Sequence, residues 1–188
     1  MLGRASIFAA AVMLAAFCGA QNANAQGVFT LSSTSFKDGD RLPTKHAGNL
    51  KANPNCVGES ISPAFSWTNV PGGTKSFAFV VFDPDGRPPG GFVHWVAYGI
   101  AASVTGFAEG EVAQASDKYV GGMSGFKLPG YMGPCPPPNT LHHYVFTVIA
   151  TDLEPTALQP GLTRDDLIKA LDGHVKGGAS LIGIFSKP

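Results

Sequence analysis

The sequence carries little charge and no net charge. Lysine and arginine together number 13, aspartate and glutamate also number 13, and charged residues make up 14% of the 188-residue chain. A protein that binds nucleic acid or an anionic membrane through its overall field needs an excess of positive charge. The balance excludes that mode of binding, so we expect no nucleic-acid partner. Any charged site must be local.

Several catalytic and metal-binding motifs are also missing. No glycine stands directly before a Lys-Ser or Lys-Thr pair, as a loop that holds nucleotide phosphates requires, and "GGMSGF" around Ser124 lacks the G-x-S-x-G spacing of a nucleophile elbow. The few cysteines and histidines do not form a cluster with zinc spacing. We therefore expect neither a structural metal nor a cofactor.

The first 25 residues differ from the rest of the chain. Arg4 precedes the apolar stretch "ASIFAAAVMLAAF", which is too short to span a bilayer, and "ANA" at 23–25 offers small residues for cleavage before Gln26. This pattern predicts a signal peptide at 1–25, a mature domain at 26–188, and a periplasmic or secreted protein with no stable membrane insertion after cleavage. An uncleaved anchor and a lipoprotein anchor at Cys18 are the alternatives.

Export determines how the cysteines are interpreted. Of the three cysteines, Cys18 would leave with the signal peptide, so Cys56 and Cys135 remain as one pair in an oxidising compartment. The sequence therefore predicts a disulfide between them. The alternative, in which Cys135 is a catalytic thiol, would require a free and activated side chain.

The mature chain is typical of a mainly β protein. It contains most of the 24 glycines and 15 prolines of the sequence, and they divide it into short apolar runs. Three runs predict central strands, "KSFAFVVF" (75–82), "FVHWVAYGI" (92–100) and "HHYVFTVIA" (142–150), because they are apolar on both faces. Weaker runs, "GVFTLSSTSF" and "ASLIGIFS", predict outer strands near the two ends of the mature domain.

One segment predicts a helix, "TRDDLIKALDGHV" from residue 163 onward. Thr163 can act as the N-cap, Asp166 completes a capping-box pattern, and Leu167, Leu171 and Val175 repeat on one face. Such an apolar stripe indicates a helix that packs against a sheet.

The remaining polar candidates lie at the ends of the predicted central strands. "DPDGRPPGGFVHW" (83–95) places Asp83 and Asp85 before a Gly/Pro-rich loop and His94 after it. Because side chains alternate along a strand, His142 and Tyr144 must point the same way. A single histidine on a strand is more often structural than functional, so these residues alone leave both interpretations open.

Four segments together give the sequence a resemblance to a known family. They are "ISPAFSW" (61–67), "DPDGRPPGGFVHWVAYGI" (83–100), "GYMGPCPPPNTLHHYVFTVIATD" (130–152) and "GHVKGGASLIGIFSK" (173–187). In combination and order they resemble the phosphatidylethanolamine-binding protein family, in its bacterial Raf kinase inhibitor-like branch. The resemblance implies a Greek-key β-sandwich with one or two short helices and a small anion-binding pocket at one end.

The same resemblance implies the residues of the pocket. They are Asp83, Asp85, His94, Gly133, Pro134, Cys135, Pro136, Pro137, His142 and Tyr144. The chain departs from the family pattern at 86–89, where Gly-Arg-Pro-Pro replaces the commoner Ala-Pro start of the loop, and at His143, where arginine is usual.

An anion would be repelled by two unpaired carboxylates, so we expect at least one aspartate to accept a hydrogen bond from a pocket histidine and to favour its charged form. The imidazoles, the Tyr144 hydroxyl and backbone N–H groups of 133–135 would then act as donors. This predicts a non-catalytic binding protein for a phosphate-like or other small anionic ligand. The alternatives are a divalent metal site, an enzyme acting on phosphate esters, and an inhibitor of a protease or kinase that acts through surface loops.

Overall fold

The structure is a computed structural model that describes residues 27–128 and 130–188. The predicted signal peptide, its cleavage point and Cys18 lie outside these residues. The strands are β1 (Thr30–Ser32), β2 (Phe65–Thr68), β3 (Ser76–Asp83), β4 (Phe92–Ala101), β5 (Gly106–Phe107), β6 (Val120–Gly121), β7 (His142–Thr151) and β8 (Val175–Phe185). The helix α1 spans Arg164–Ala170, and a short 3-10 turn spans Thr44–His46.

The strands form two antiparallel sheets. The larger sheet has the order β6-β4-β3-β7-β8 and the smaller one the order β1-β2-β5. The chain crosses between the sheets after β2, after β4 and after β5, so strands that are neighbours in the larger sheet can be far apart in sequence. The predicted fold class, mainly β with two packed sheets and a short helix, is confirmed.

Strand β3 is the centre of the domain because it is buried on both faces. Phe77, Phe79 and Val81 belong to the core between the two sheets, while Ala78 and Val80 face the opposite side. A strand with apolar residues on both faces has no side that tolerates water, which explains its central place. The three predicted central strands are confirmed as β3, β4 and β7. The weaker run near the start contains the outer strand β1, whereas the run near the end covers only the second part of the outer strand β8.

Helix α1 covers the outer face of the larger sheet. The Thr163 side chain accepts a hydrogen bond from the Asp166 N–H, as the capping pattern predicts, and Leu167 and Leu171 are buried on the sheet. The prediction was wrong at the end of the helix, because α1 ends at Ala170. Gly173 has a φ of 76°, a left-handed conformation that turns the chain, and Val175 then begins β8 with 52% exposure.

Two further features concern the chain outside the sheets. The predicted disulfide is present between Cys56 and Cys135, which are 79 positions apart with Cα atoms 4.5 Å apart. It ties the loop before β2 to the proline-rich segment before β7. None of the helices in the described part of the chain combines the length and apolar character that crossing a membrane requires.

Candidate functional site

The antiparallel order of the larger sheet brings the candidate side chains to one edge. β3 runs opposite to both β4 and β7, so the end of β3 lies beside the beginnings of the other two strands. Asp83 at the end of β3 therefore lies near His94 on β4 and near His142 and Tyr144 on β7. Alternation along β7 points His142 and Tyr144 to the same buried side and His143 to solvent.

These side chains line a cavity of about 450 Å³. The lining residues are Asn53, Asp83, Asp85, Gly86, Arg87, Pro88, Phe92, His94, Phe126, Cys135, Pro136, Pro137, Thr140, His142 and Tyr144. A volume of this size suits a small molecule or the head group of a larger one. Eight of the ten predicted site residues belong to this lining set.

The buried carboxylate of Asp83 has hydrogen-bond partners on both oxygens. Oδ1 accepts from the backbone N–H groups of Asp85 and Gly86 at 2.9 and 3.0 Å. Oδ2 accepts from Nδ1 of His142 at 2.7 Å. An ionised carboxylate only accepts hydrogen bonds, so Nδ1 of His142 carries a proton and Nε2 is the ring atom left for the cavity. This arrangement is the aspartate–histidine pair expected from the sequence.

His94 is held in a different way from His142. Its Nδ1 donates to the carbonyl oxygen of Met132 at 2.7 Å, and Nε2 lies 4.0 Å from Oδ2 of Asp83. Burial lowers its pKa to about 4, against the opposing effects of the Met132 carbonyl and the Asp83 charge. The ring is therefore neutral near pH 7, with its proton on Nδ1. The expectation that both imidazoles act as donors is corrected here, because Nε2 of His94 is an acceptor.

The Tyr144 hydroxyl lies in the same wall without a hydrogen-bond partner among the described residues. Tyr144 is 1% exposed, and its pKa is raised first by burial and then by the negative charge of Asp83. The hydroxyl therefore keeps its proton at any physiological pH. A buried hydroxyl without a partner costs free energy, which a ligand with an acceptor atom would recover.

The second aspartate has a different partner and lies at the cavity rim. Oδ2 of Asp85 accepts from both the backbone N–H and Nδ1 of His143, at 2.7 and 2.8 Å. These hydrogen bonds hold the pKa of Asp85 below its ordinary value. The residue that departs from the family pattern at 143 thus gives the rim carboxylate two hydrogen-bond donors, whereas Asp83 is buried.

Sequence reasoning missed one charged residue and an aromatic wall. The guanidinium of Arg87 lies over the Phe92 ring at 4.5 Å, and Phe126 packs edge-on against Phe92 at 4.7 Å. All three residues line the cavity. The arginine in "DPDGRPP" was a signal that could have been used, since it is a cation two residues after a site aspartate. Nothing local identified Phe126, which reaches the cavity from the loop after β6.

The proline-rich segment divides into a lining part and a supporting part. Cys135, Pro136 and Pro137 line the cavity, whereas Gly133 and Pro134 are not among the lining residues. The Gly133 N–H donates to Oγ of Ser60 at 3.2 Å, so it is not the free donor that was expected. A Cβ at Gly133 would overlap the carbonyl oxygen of His46, so this glycine allows a close backbone contact.

Carboxylate and imidazole groups, which the cavity contains, are also common metal ligands. Within residues 27–128 and 130–188, no group of three or more histidine, cysteine, aspartate or glutamate side chains is arranged to hold a metal ion. In the cavity, the Nδ1 atoms of His94 and His142 are both engaged with protein acceptors.

Two packed antiparallel sheets with a cavity at one edge place the protein in the β-sandwich class. The family model described as phosphatidylethanolamine-binding protein matches residues 32–186, nearly all of the described chain. The chain belongs to the phosphatidylethanolamine-binding protein family.

Curated relatives and solved structures agree with this assignment. A UPF0098 protein of Methanothermobacter thermautotrophicus is 36% identical over 159 residues, covering 84% of this chain and 98% of the relative. The UPF0098 protein YbhB of Escherichia coli is 34% identical over 160 residues, covering 83% and 99%. The crystal structure of Escherichia coli YbcL, described as a member of the mammalian PEBP family, superimposes with a TM-score of 0.76 at 29% identity and covers 84% of this chain and 98% of YbcL.

Proposed function

We propose that this protein is an exported, non-catalytic binding protein whose cavity takes a phosphate-like or other small anionic head group. The observation that carries the proposal is the 2.7 Å hydrogen bond from Nδ1 of His142 to the buried carboxylate of Asp83. It leaves Nε2 of His142 as the ring atom for a ligand. In its charged form the ring donates from Nε2 to an anion, and the Asp83 carboxylate behind the ring compensates the positive charge.

Other groups in the cavity support an anion over a cation. Arg87 contributes a permanent positive charge, and the Tyr144 hydroxyl contributes a donor that lacks an acceptor among the described residues. Asp83 has three hydrogen-bond donors and Asp85 is paired with His143, so neither carboxylate is left as a bare charge. The partner is then a small anionic ligand, and no nucleic acid or inserted membrane is required.

The export part of the proposal rests on residues 1–25 and on the disulfide. Disulfides persist in oxidising compartments, so the bond between Cys56 and Cys135 fits a periplasmic or secreted protein. The intact mass of protein taken from the periplasm or medium tests this. We expect a chain that begins at Gln26, and a full-length chain with Met1 would contradict signal-peptide cleavage.

Calorimetric titration of inorganic phosphate into the purified protein tests the binding proposal. We expect binding by the wild type and an affinity weaker by about 1.5 to 3 kcal/mol for His142→Gln, the range for a hydrogen bond to a charged group. His174→Gln is the matched control, because Nδ1 of His174 also pairs with an aspartate, Asp152, but neither residue lines the cavity. Equal affinities for the wild type and His142→Gln, or no binding by the wild type at millimolar phosphate, would contradict the proposal.

A second candidate function follows from the same pair of residues. A histidine whose Nδ1 is held by a buried aspartate and whose Nε2 faces a cavity has the geometry of a general base. This would suit an enzyme that hydrolyses phosphate esters. Incubation with a panel of phosphate esters separates the two functions, since an enzyme releases phosphate and a binding protein leaves the esters intact.

A further inference from the structure

The hydrogen-bonding character of His94 restricts which anions the cavity can accept. The Met132 carbonyl fixes the proton of the neutral ring on Nδ1, so Nε2 presents a lone pair. No described residue donates to this Nε2, and its nearest charged neighbour is Oδ2 of Asp83 at 4.0 Å. An anionic oxygen placed against Nε2 would meet two electron-rich groups and no proton. A ligand must therefore bring a hydrogen-bond donor to this part of the cavity.

The titratable groups around His94 come from three parts of the fold. Asp83 approaches from the end of β3, and His142 and Tyr144 approach from the start of β7, with the Tyr144 ring 5.1 Å from the imidazole. Asp85 and Arg87 line the same cavity from the loop between β3 and β4. Of these, the Tyr144 hydroxyl is a buried donor without an acceptor among the described residues. One wall therefore combines an unused donor with an unused acceptor.

We propose that the cavity selects an anion that retains an acidic proton, such as hydrogen phosphate or a protonated phosphomonoester, over an anion of the same charge that has none. The ligand O–H donates to Nε2 of His94, and another ligand oxygen accepts from the Tyr144 hydroxyl. This inference rests on the proposed anion-binding function and names the class of ligand more narrowly. A phosphodiester and a sulfate lack such a proton at neutral pH.

The proton stays on the ligand because the ligand oxygen is the stronger base. The second pKa of a phosphomonoester is about 6, whereas burial lowers the pKa of His94 to about 4. Transfer of the proton to the ring would also place a positive charge on a side chain that is only 3% exposed. The contact is therefore a hydrogen bond from a neutral P–O–H group to a neutral imidazole, with no proton transfer.

Calorimetric titration at pH 8 with hydrogen phosphate and with sulfate tests the inference. Both are tetrahedral dianions of similar size at this pH and differ chiefly in one proton, and the protonation of the protein is the same for both. We expect hydrogen phosphate to bind about tenfold more tightly, because sulfate leaves the acceptor on His94 unpaired. A preference below about fivefold would overturn the inference.

A substitution at His94 tests whether this residue causes the preference for hydrogen phosphate over sulfate. His94→Phe removes the acceptor and should bring the ratio of the two affinities to about one, whereas His174→Gln, outside the cavity, should keep the wild-type ratio. An unchanged ratio in a folded His94→Phe protein would contradict the assignment to His94. If His94→Phe does not fold, the ratio of hydrogen phosphate to sulfate affinity in the wild type alone tests the inference.

The outcomes also distinguish a failure of this inference from a failure of the proposed anion-binding function. Equal binding of hydrogen phosphate and sulfate would leave the anion pocket intact and overturn only the requirement for a proton. Absence of binding by either anion at millimolar concentration would overturn the proposed function and this inference together.

Discussion

His142 donates from Nδ1 to Oδ2 of Asp83 at 2.7 Å, with side-chain exposures of only 11% and 5%. At the other end of β7, Nδ1 of His174 lies at the same distance from Oδ1 of Asp152, and both side chains are more exposed. The two pairs differ in burial and in access to the cavity. Solvent screens the second pair, so it provides an internal control for the role of the first.

Asp83→Asn should weaken phosphate binding by about tenfold while Asp152→Asn leaves it unchanged. An asparagine at 83 can still accept from the backbone N–H groups of Asp85 and Gly86, but it no longer compensates a positive charge on His142. Calorimetric titration of phosphate into the two variants measures the difference. Wild-type affinity in a folded Asp83→Asn protein would show that the buried carboxylate does not support the ligand.

Removal of the Tyr144 hydroxyl should reduce phosphate affinity without reducing stability. The hydroxyl has no partner among the described residues, so Tyr144→Phe should leave the free energy of unfolding unchanged or raise it slightly. Tyr131→Phe is the control, because its buried hydroxyl donates to the His46 carbonyl at 3.0 Å and its loss should cost about 1 kcal/mol. Urea unfolding and phosphate titration of both variants give the comparison. Destabilisation by Tyr144→Phe equal to that of Tyr131→Phe would indicate an internal partner instead of a ligand.

The disulfide should make a large contribution to stability because it closes a long loop. For a separation of 79 positions, the chain-entropy model gives about 4 kcal/mol. Addition of a reductant should lower the urea midpoint of the wild type and leave that of a double Cys56→Ser, Cys135→Ser variant unchanged. Two reactive thiols in the denatured, unreduced mature protein would show that the bond does not form in solution.

The protein should become less stable as the pH is lowered from about 6.5 to 4, because His94 is buried in its neutral form. Its pKa is about 4 in the folded protein and about 6.5 in the unfolded chain, so in this range the unfolded state binds a proton that the folded state does not. The contribution is fully present above pH 6.5 and is lost as pH falls through 4. His46, whose pKa is also lowered by burial, acts in the same direction.

Urea unfolding at pH 6.5 and 5.5 measures this effect before most carboxylates titrate. We expect His94 alone to account for a loss of about 1 kcal/mol over that unit. His94→Gln should show a smaller loss, even if its absolute stability is lower. The same pH dependence in the wild type and in this variant would place the titrating group elsewhere.

Local sequence patterns determined the elements of this protein. Apolar residues on both faces of 75–82 require a strand with a layer on each side, and β3 is that strand. Thr163 and Asp166 mark the beginning of α1 because a capping bond joins residues three apart. The same patterns did not determine the end of α1, since the apolar spacing continued to Val175 while Gly173 turned the chain. The cysteine pair followed from the presence of two cysteines in residues 26–188.

The sequence by itself also supplied the chemical groups of the cavity, but only the tertiary structure decided what each group does. Asp83 and Asp85 are alike in sequence, yet the pleat of β7 turns His142 inward to one and His143 outward to the other. The proton of His94 is fixed by a carbonyl 38 residues away. Periodicity is a property of neighbouring residues and can be read along the chain. A hydrogen-bond partner depends on strand register and loop path, which are set only when the whole core packs.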